Sequence, residues 1–394
     1  MRQSTIGVIR EVLQRSRGAW VTRLTSPLTY EAFRLRNRML PLDGVRACAV
    51  LGVLLHHTRN DPFGRLHGFR GVPVFFVLSG FLITTLALRE EAETGQLSIR
   101  AFAIRRVFRI MPLFYLALAA YFVWVCVFGM ESNGDLLRHY LPTYLLYCPE
   151  FPIFLHNFTV PFGQAWSLGI EEKFYLVWPL LAFWWLARSR HRAAVTVGLL
   201  AVTAGLTAAN GVLAQMWGSY SDILIGCLLA LLLHERAVYN YFRWLGRTEV
   251  TCAVLVLLGV ALLSRFTGTQ IGERLFSLSA ALSIAALVTN AGPPATFAGN
   301  AWLVRIGAWS YAIYLTHPIV FDVVDRLLPA GRPGDYLSLV LTLAIDLPLC
   351  WVLHIRVEKP LIAVGRRLTA RINGDPLAHS TPGNPAHLPT ATRR

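Results

Sequence analysis

GVPVFFVLSGFLITTLAL, residues 71–88, runs for 18 positions without one charged side chain. As an α-helix it would be about 27 Å long, close to the roughly 30 Å hydrocarbon core of a bilayer. The pattern recurs outward in both directions. Apolar runs near 43–58, 71–88, 111–130, 168–187, 194–214, 219–234, 249–265, 275–291, 304–325 and 336–356 alternate with polar connectors. The first and sixth are short for a bilayer. The expected fold is all-α, a polytopic transmembrane helix bundle of about ten spans.

Composition agrees with that reading. Of 394 residues, 55% are hydrophobic and 15% charged, where a soluble domain carries about a quarter charged. Mean hydropathy is +0.49. A chain so poor in charge cannot cover a water-facing shell, and lipid is the fitting solvent. The charges are unbalanced, 37 Lys+Arg against 22 Asp+Glu. In a soluble chain that would suggest nucleic acid. Here the basic residues sit in connectors and tails, as the positive-inside rule requires, so nucleic acid is not an expected partner. Arg89, Arg100, Arg105, Arg106 and Arg109, in a connector placed at 89–110, fall on one side with Arg188, Arg190, Arg192, Arg236, Arg243 and Arg247. An even number of spans puts both termini on that side, the cytoplasmic face of the inner membrane.

Residues 1–41 form an expected basic cytoplasmic segment with no signal-peptide pattern. Ile6, Ile9, Val12, Leu13, Trp20 and Leu24 recur at helical spacing around Arg10, Arg17 and Arg23, the pattern of an amphipathic helix on a leaflet. Residues 42–360 make the membrane domain and 361–394 a basic, largely disordered cytoplasmic tail. Segment 131–167, rich in Pro and aromatics, is expected to be a lid or acceptor-binding element. The six cysteines show no Cys-x-x-Cys spacing. They are read as packing residues, and no metal site is expected.

Ionisable groups inside apolar runs carry the functional reading, because a charge at bilayer depth costs about 2.5–3.5 kcal/mol on insertion scales. The run LDGVRACAVLGVLLHH (42–57) holds Arg46, His56 and His57. Arg46 and His57 lie within about 20° of one helical face, about 16 Å apart along the axis. A guanidinium suits phosphate or carboxylate, and an imidazole suits proton abstraction from a hydroxyl. Interfacial snorkelling by Arg46 and packing by His57 is the competing structural reading.

Glu171 and Glu172 open the fourth run. They fit a helix N-terminus on electrostatic grounds alone, and one of them could orient a histidine. Ser79-Gly80 fits close helix packing better than a hydrolase nucleophile. His317, before Pro318, reads as a packed histidine, Asp222 as interfacial, and Asp346 as needing a partner inside the bundle.

Six blocks then resemble, in order, the acyltransferase 3 family of integral membrane O-acyltransferases. They are LDGVRACAVLGVLLHH (42–57), GVPVFFVLSGFLIT (71–84), FAIRRVFRIMPLFY (102–115), AWSLGIEEKFYLVWPLL (165–181), IGAWSYAIYLTHPI (306–319) and VEKP (357–360). Departures are Pro73 where many relatives carry Asp, Lys173 where Gln is usual, and Gln164 where a His often precedes the Trp.

The resemblance implies transfer of an acyl group, commonly acetyl, from cytoplasmic acyl-CoA to a hydroxyl of a glycan, lipid-linked sugar or secondary metabolite. It maps the family's functional pair onto Arg46 and His57, with His57 as general base or transient acyl carrier and Glu171 or Glu172 as its orienting group. Arg46, Arg105, Arg106 and Arg109 are the candidate donor contacts. Trp166, Ser167, Ser79 and His317 are the candidate substrate contacts. The competing functions are a secondary transporter of a small anionic or sugar substrate, which should carry an inverted repeat, and a scaffold in a polysaccharide export complex.

Overall fold

The computed structural model describes residues 27–36, 38–58, 66–131, 133–156, 158–186, 191–207, 212–264, 269–328 and 335–372. The amphipathic helix expected within the first 26 residues, and the tail from 373 on, lie outside the described residues. Among the described residues all regular structure is helical. Five helices are long and apolar enough to cross a membrane: Gly68–Thr94, Ile99–Val127, Ala214–His234, Gln270–Thr289 and Tyr336–Ile372. A sixth crossing arises if Arg236–Gly246 and Thr248–Leu263, bent by 82°, count as one broken span.

The helix that carries Arg46 and His57 organises the rest. This helix, α2 (Leu40–His56), follows the short α1 (Tyr30–Leu35) and has Pro41 and Asp43 in its first turn. A proline and a carboxylate both suit a helix N-terminus, and Arg38 pairs with Asp43 at 2.9 Å. Its neighbour α3 (Gly71–Thr94) ends on Gly95 at φ 85°, the left-handed conformation that favours glycine. Next, α4 (Ile99–Phe122) is capped by Ser98, whose Oγ accepts from the Ala101 N–H. The connector is therefore residues 95–98 and not 89–110. Arg100, Arg105, Arg106 and Arg109 ride on α4, because the Ser98 cap and the apolar face of Ala101 and Phe102 let the helix begin before the arginines.

Segment 131–167 is not a bare loop. It folds into α5 (Gly134–Leu145) and α6 (Glu150–Leu155) before α7 (Trp166–Pro179), which ends in a π turn over Leu180–Trp185. Then come α8 (Arg192–Thr207), α9 (Val212–His234), α10 (Arg236–Phe242), α11 (Thr248–Leu263) and α12 (Gln270–Thr289). The described residues close with α13 (Pro293–Ala298), α14 (Ala301–Leu327), α15 (Asp335–Leu353) and α16 (Lys359–Ile372). Residues 361–372, expected as part of a disordered tail, belong to α16, and Gly365 packs against the Phe108 side chain.

Small residues set the two closest crossings. A Cβ on Gly44 would collide with the Ala298 carbonyl at the end of α13, and one on Gly307 with the Asp43 carbonyl, so α2 lies directly on α13 and on α14. A Cβ on Gly80 would meet the Ile223 carbonyl and one on Gly226 the Val77 carbonyl, which fixes α3 on α9. This is the small-residue packing that draws helices together in lipid. Gly80→Leu should therefore cost more than the roughly 1–3 kcal/mol of ordinary overpacking. Gly198→Leu, on a face with nothing near it, should cost little. Thermal unfolding of the two variants in detergent, followed by size-exclusion chromatography, checks the contrast.

Candidate functional site

Two large cavities open on either side of a narrow gap. One, about 900 Å³, is lined by His56, His57, Pro73, Gln164, Trp166 and Asp222 among others. The other, about 690 Å³, is lined by Arg46, Arg106, Arg109, Glu171, Glu172 and Arg366 among others. The gap, about 80 Å³, shares Val72, Phe76 and Tyr314 with the first and Arg46, Ser79, Glu171 and Tyr175 with the second. It is room for about five to eight waters at most, since one needs roughly 10–15 Å³ on this measure. Arg46 and His57, near opposite ends of α2, thus face different cavities.

His57 caps the C-terminus of α2. Its Nδ1 sits 2.9 Å from the Val53 carbonyl. A carbonyl only accepts, so Nδ1 carries the proton and the ring's basic lone pair is at Nε2. The His317 ring lies 4.8 Å from it, edge to face. His317 is fully buried, with Nδ1 3.0 Å from the Ile313 carbonyl, and its Nε2 has no partner among the described residues. Pro318 follows inside α14 and has no N–H for the Tyr314 carbonyl. The α2–α14 contact brings the two imidazoles together, so His317 is both packed and part of the site.

Arg46 is half-buried, and its Nε is buried without a hydrogen bond among the described residues. Across from it, the Tyr175 hydroxyl donates to Glu171 Oε2 at 3.3 Å and meets Ser79 Oγ in a short hydrogen bond. Glu171 and Tyr175, four apart, share a face of α7. The Arg106 guanidinium lies over the Tyr175 ring, 4.9 Å from its centre. Glu171 and Glu172 line the arginine cavity and not the cavity of His57. The expected pairing of one of them with His57 is not what the structure brings together. Ser79 stands beside the Gly80 crossing and belongs to the gap.

Arg105 is also displaced from its expected place: it pairs with Glu90 at 2.5 Å and does not line the arginine cavity. Arg38, Arg89, Lys359 and Arg366 join Arg106 and Arg109 there instead. Trp166 walls the His57 cavity, its ring against Phe76 and Phe154. Ser167 Oγ lies 2.8 Å from the Tyr314 hydroxyl, which donates to the Gln164 carbonyl at 3.0 Å. Phe158 and Phe162 line the same cavity with φ of 62° and 64°, a strained conformation for aromatic residues.

Asp222 is not interfacial. It is buried and pairs with Arg274 at 2.8 Å on the wall of the His57 cavity. Beside it, fully buried Arg70 pairs with Glu273 at 3.0 Å. Asp346 accepts from Thr316 Oγ1 at 2.6 Å. Of the residues that depart from the family pattern, Pro73 and Gln164 line the His57 cavity. Lys173 pairs with fully buried Glu150 at 2.5 Å. Tyr175, Tyr314 and Phe76 were missed at the sequence level, although each lies inside a quoted block.

The fold and site define a multi-pass helical membrane protein with basic side chains held inside the bundle. The acyltransferase domain family matches residues 40–355, and the chain belongs to that family, acyltransferase 3. It is 31% identical over 374 residues to the putative peptidoglycan O-acetyltransferase YrhL of Bacillus subtilis, covering 85% of this chain and 57% of that one. It is 27% identical over 331 residues to the O-acetyltransferase OatA of Staphylococcus aureus, 77% of this chain and 54% of that one. To the peptidoglycan O-acetyltransferase OatA of Listeria monocytogenes it is 26% identical over 353 residues, 78% and 53% of the two chains. The chain thus spans about half the length of the curated relatives it matches. No solved structure matches it.

Lys173 and Glu150 tie α7 to α6, and Gly169 leaves the space that the Glu150 carboxylate fills. Lys173→Met strands a buried carboxylate, so the variant should lose about 3–5 kcal/mol of stability. Adding Glu150→Gln should recover much of that loss. Thermal unfolding of the single and double variants in one detergent reads the difference.

Proposed function

We propose that this chain is a membrane-embedded O-acyltransferase that moves an acetyl group from acetyl-CoA to a hydroxyl of a cell-envelope glycan. The observation that carries the reading is the pair of cavities joined by one gap, with Arg46 and His57 near opposite ends of a single helix. The arginine cavity takes the polyanionic end of the donor. Guanidinium groups match phosphate oxygens as paired donors, and Arg46, Arg106 and Arg109 supply them. The thioester reaches through the gap. The acceptor occupies the cavity of His57, walled by residues of segment 131–167.

His57 Nε2 takes the proton from the acceptor hydroxyl, the oxygen attacks the thioester carbonyl, and the C–S bond breaks as the C–O bond forms. The proton passes to the departing thiolate, giving free coenzyme A thiol. A variant of the same chemistry passes the acetyl group through His57 itself. Tyr175, Ser79 and Glu171 face the path of the carbonyl and act on the donor side, not on His57. Ten spans, both termini in the cytoplasm and an inner-membrane location complete the reading, with the arginine cavity open to the cytoplasm. Membership of an acyltransferase family favours this reading over a transporter or a scaffold.

His57→Ala should lower acceptor-dependent thiol release by the 10²–10⁴-fold typical of a lost general base, without loss of fold. Arg46→Lys should retain more activity than Arg46→Ala but raise the donor KM. Thiol release from purified protein in lipid discs, with and without acceptor, reads both. Unchanged turnover in His57→Ala would remove His57 from the chemistry.

A further inference from the structure

The two cavities differ in charge as well as in shape. The arginine cavity is lined by seven cationic side chains against four carboxylates, whereas the His57 cavity is lined by Glu131, Asp222 and Glu273 against Arg274. Behind Glu273 stands buried Arg70, and behind Glu131 stands the Asp322–Arg326 pair. Counting those, the acceptor side is balanced or slightly acidic, with no surplus cation. Charges that face each other across a low-dielectric cavity act strongly, and walls of one sign repel ligands of that sign.

The wall opposite His57 is also fixed. Arg274 Nη1 donates both to Asp222 Oδ1 and to the Gly218 carbonyl, each at 2.8 Å. Arg70 Nη1 is held on the Ala261 carbonyl. Each guanidinium is thus charge-paired with a carboxylate and held on a backbone carbonyl, although the Nε of each is buried without a hydrogen bond among the described residues, so neither adds an uncompensated cation to the wall. The remaining wall offers amide and hydroxyl groups at Gln215, Ser219 and Gln270, and aromatic faces at Trp166 and Phe158. Amides and carboxylates hydrogen-bond sugar hydroxyls and amines, and aromatic rings cover the apolar face of a pyranose. Next to the reacting position, buried His317 Nε2 has no partner among the described residues, so a polar atom of a ligand or water is called for.

We infer that the acceptor is an uncharged or amine-bearing sugar and not an anionic one, and that the Asp222–Arg274 pair with Glu131 enforces the choice. This rests on the acyl-transfer reading and adds the class of acceptor to it. The surplus of cations on the arginine side alone also directs the anionic donor to that cavity and away from the acceptor side.

The test uses the full chain in lipid discs with acetyl-CoA and three acceptors of equal length: an N-acetylated aminosugar oligomer, its de-N-acetylated form, and a uronate-bearing oligomer. The uronate acceptor should show kcat/KM at least ten-fold below the other two at low salt, and the gap should narrow as salt rises. Asp222→Asn leaves Arg274 uncompensated and should improve the uronate-to-neutral ratio by about ten-fold, with the donor KM unchanged. Glu131→Gln, at a half-buried position of the same lining, should move the ratio the same way and serves if the Asp222 variant does not fold. Equal use of all three acceptors by the native protein, or variants that leave the ratio where it was, would overturn the inference. If donor hydrolysis persists but no sugar is acylated, the acceptor assignment fails while acyl transfer stands; if no thiol is ever released, both fail.

Discussion

Lipid gives a charged side chain nothing to bind, and every buried ion in this bundle has to be answered by the protein itself. Most are. Arg70 meets Glu273, Arg192 meets Glu91 in a two-pronged contact at 2.7 Å, Arg274 meets Asp222, and Lys173 meets Glu150. All but the last join elements far apart in the chain, and each removes an option for sliding or rotation. Breaking one partner of such a pair is costly, whereas the intact pair contributes little net stability. Their effect is to fix register, so the bundle holds its cavities open without collapsing onto them.

Against that background the orphaned atoms stand out. Arg46 Nε, Glu172 Oε1 and His317 Nε2 are buried with no hydrogen bond among the described residues, and all three lie at or beside the cavities. Arg70 Nε and Arg274 Nε, in the structural pairs, are orphaned too, so what marks the first three is their place at the cavities outside those pairs, where a bound molecule can reach them. The strained φ of Phe158 and Phe162 on the same wall fits that view, because strain of this kind persists only where surrounding contacts impose it.

The Arg46–His57 stripe was legible from the sequence because both residues sit on one helix, where spacing alone sets direction and depth. Depth across helices was not legible. Trp166 lines the His57 cavity, and Glu171 lies five residues further along α7, about 7.5 Å deeper. That displacement moves the carboxylate from His57 to Arg46, and no single-helix pattern contains it. Arg105 and Arg106 differ by one step of about 100°: one turns to Glu90, the other into the cavity. Asp222 read as interfacial because its partner, Arg274, lies 52 residues away. A charge paired at that range looks solitary in a linear pattern. The helix count shows the same limit, since an apolar run reveals a buried helix more readily than it reveals where that helix crosses.

The length of α2 then takes on a meaning. At 17 residues it is about 26 Å long, short for a span that must insulate one side of a bilayer from the other. It need not do so alone. Large cavities approach from both directions and leave only the 80 Å³ gap between them, walled by Phe75, Phe76 and Leu168. The two cavities are separated at this point by a thin septum. A short rigid helix pinned by Gly44 and Gly307 can therefore hold a cation against one cavity and an imidazole against the other. A longer or looser helix would place both groups with less certainty. The close crossing with α14, which leaves no room for a β-carbon, is thus what lets one helix serve both sides of the septum.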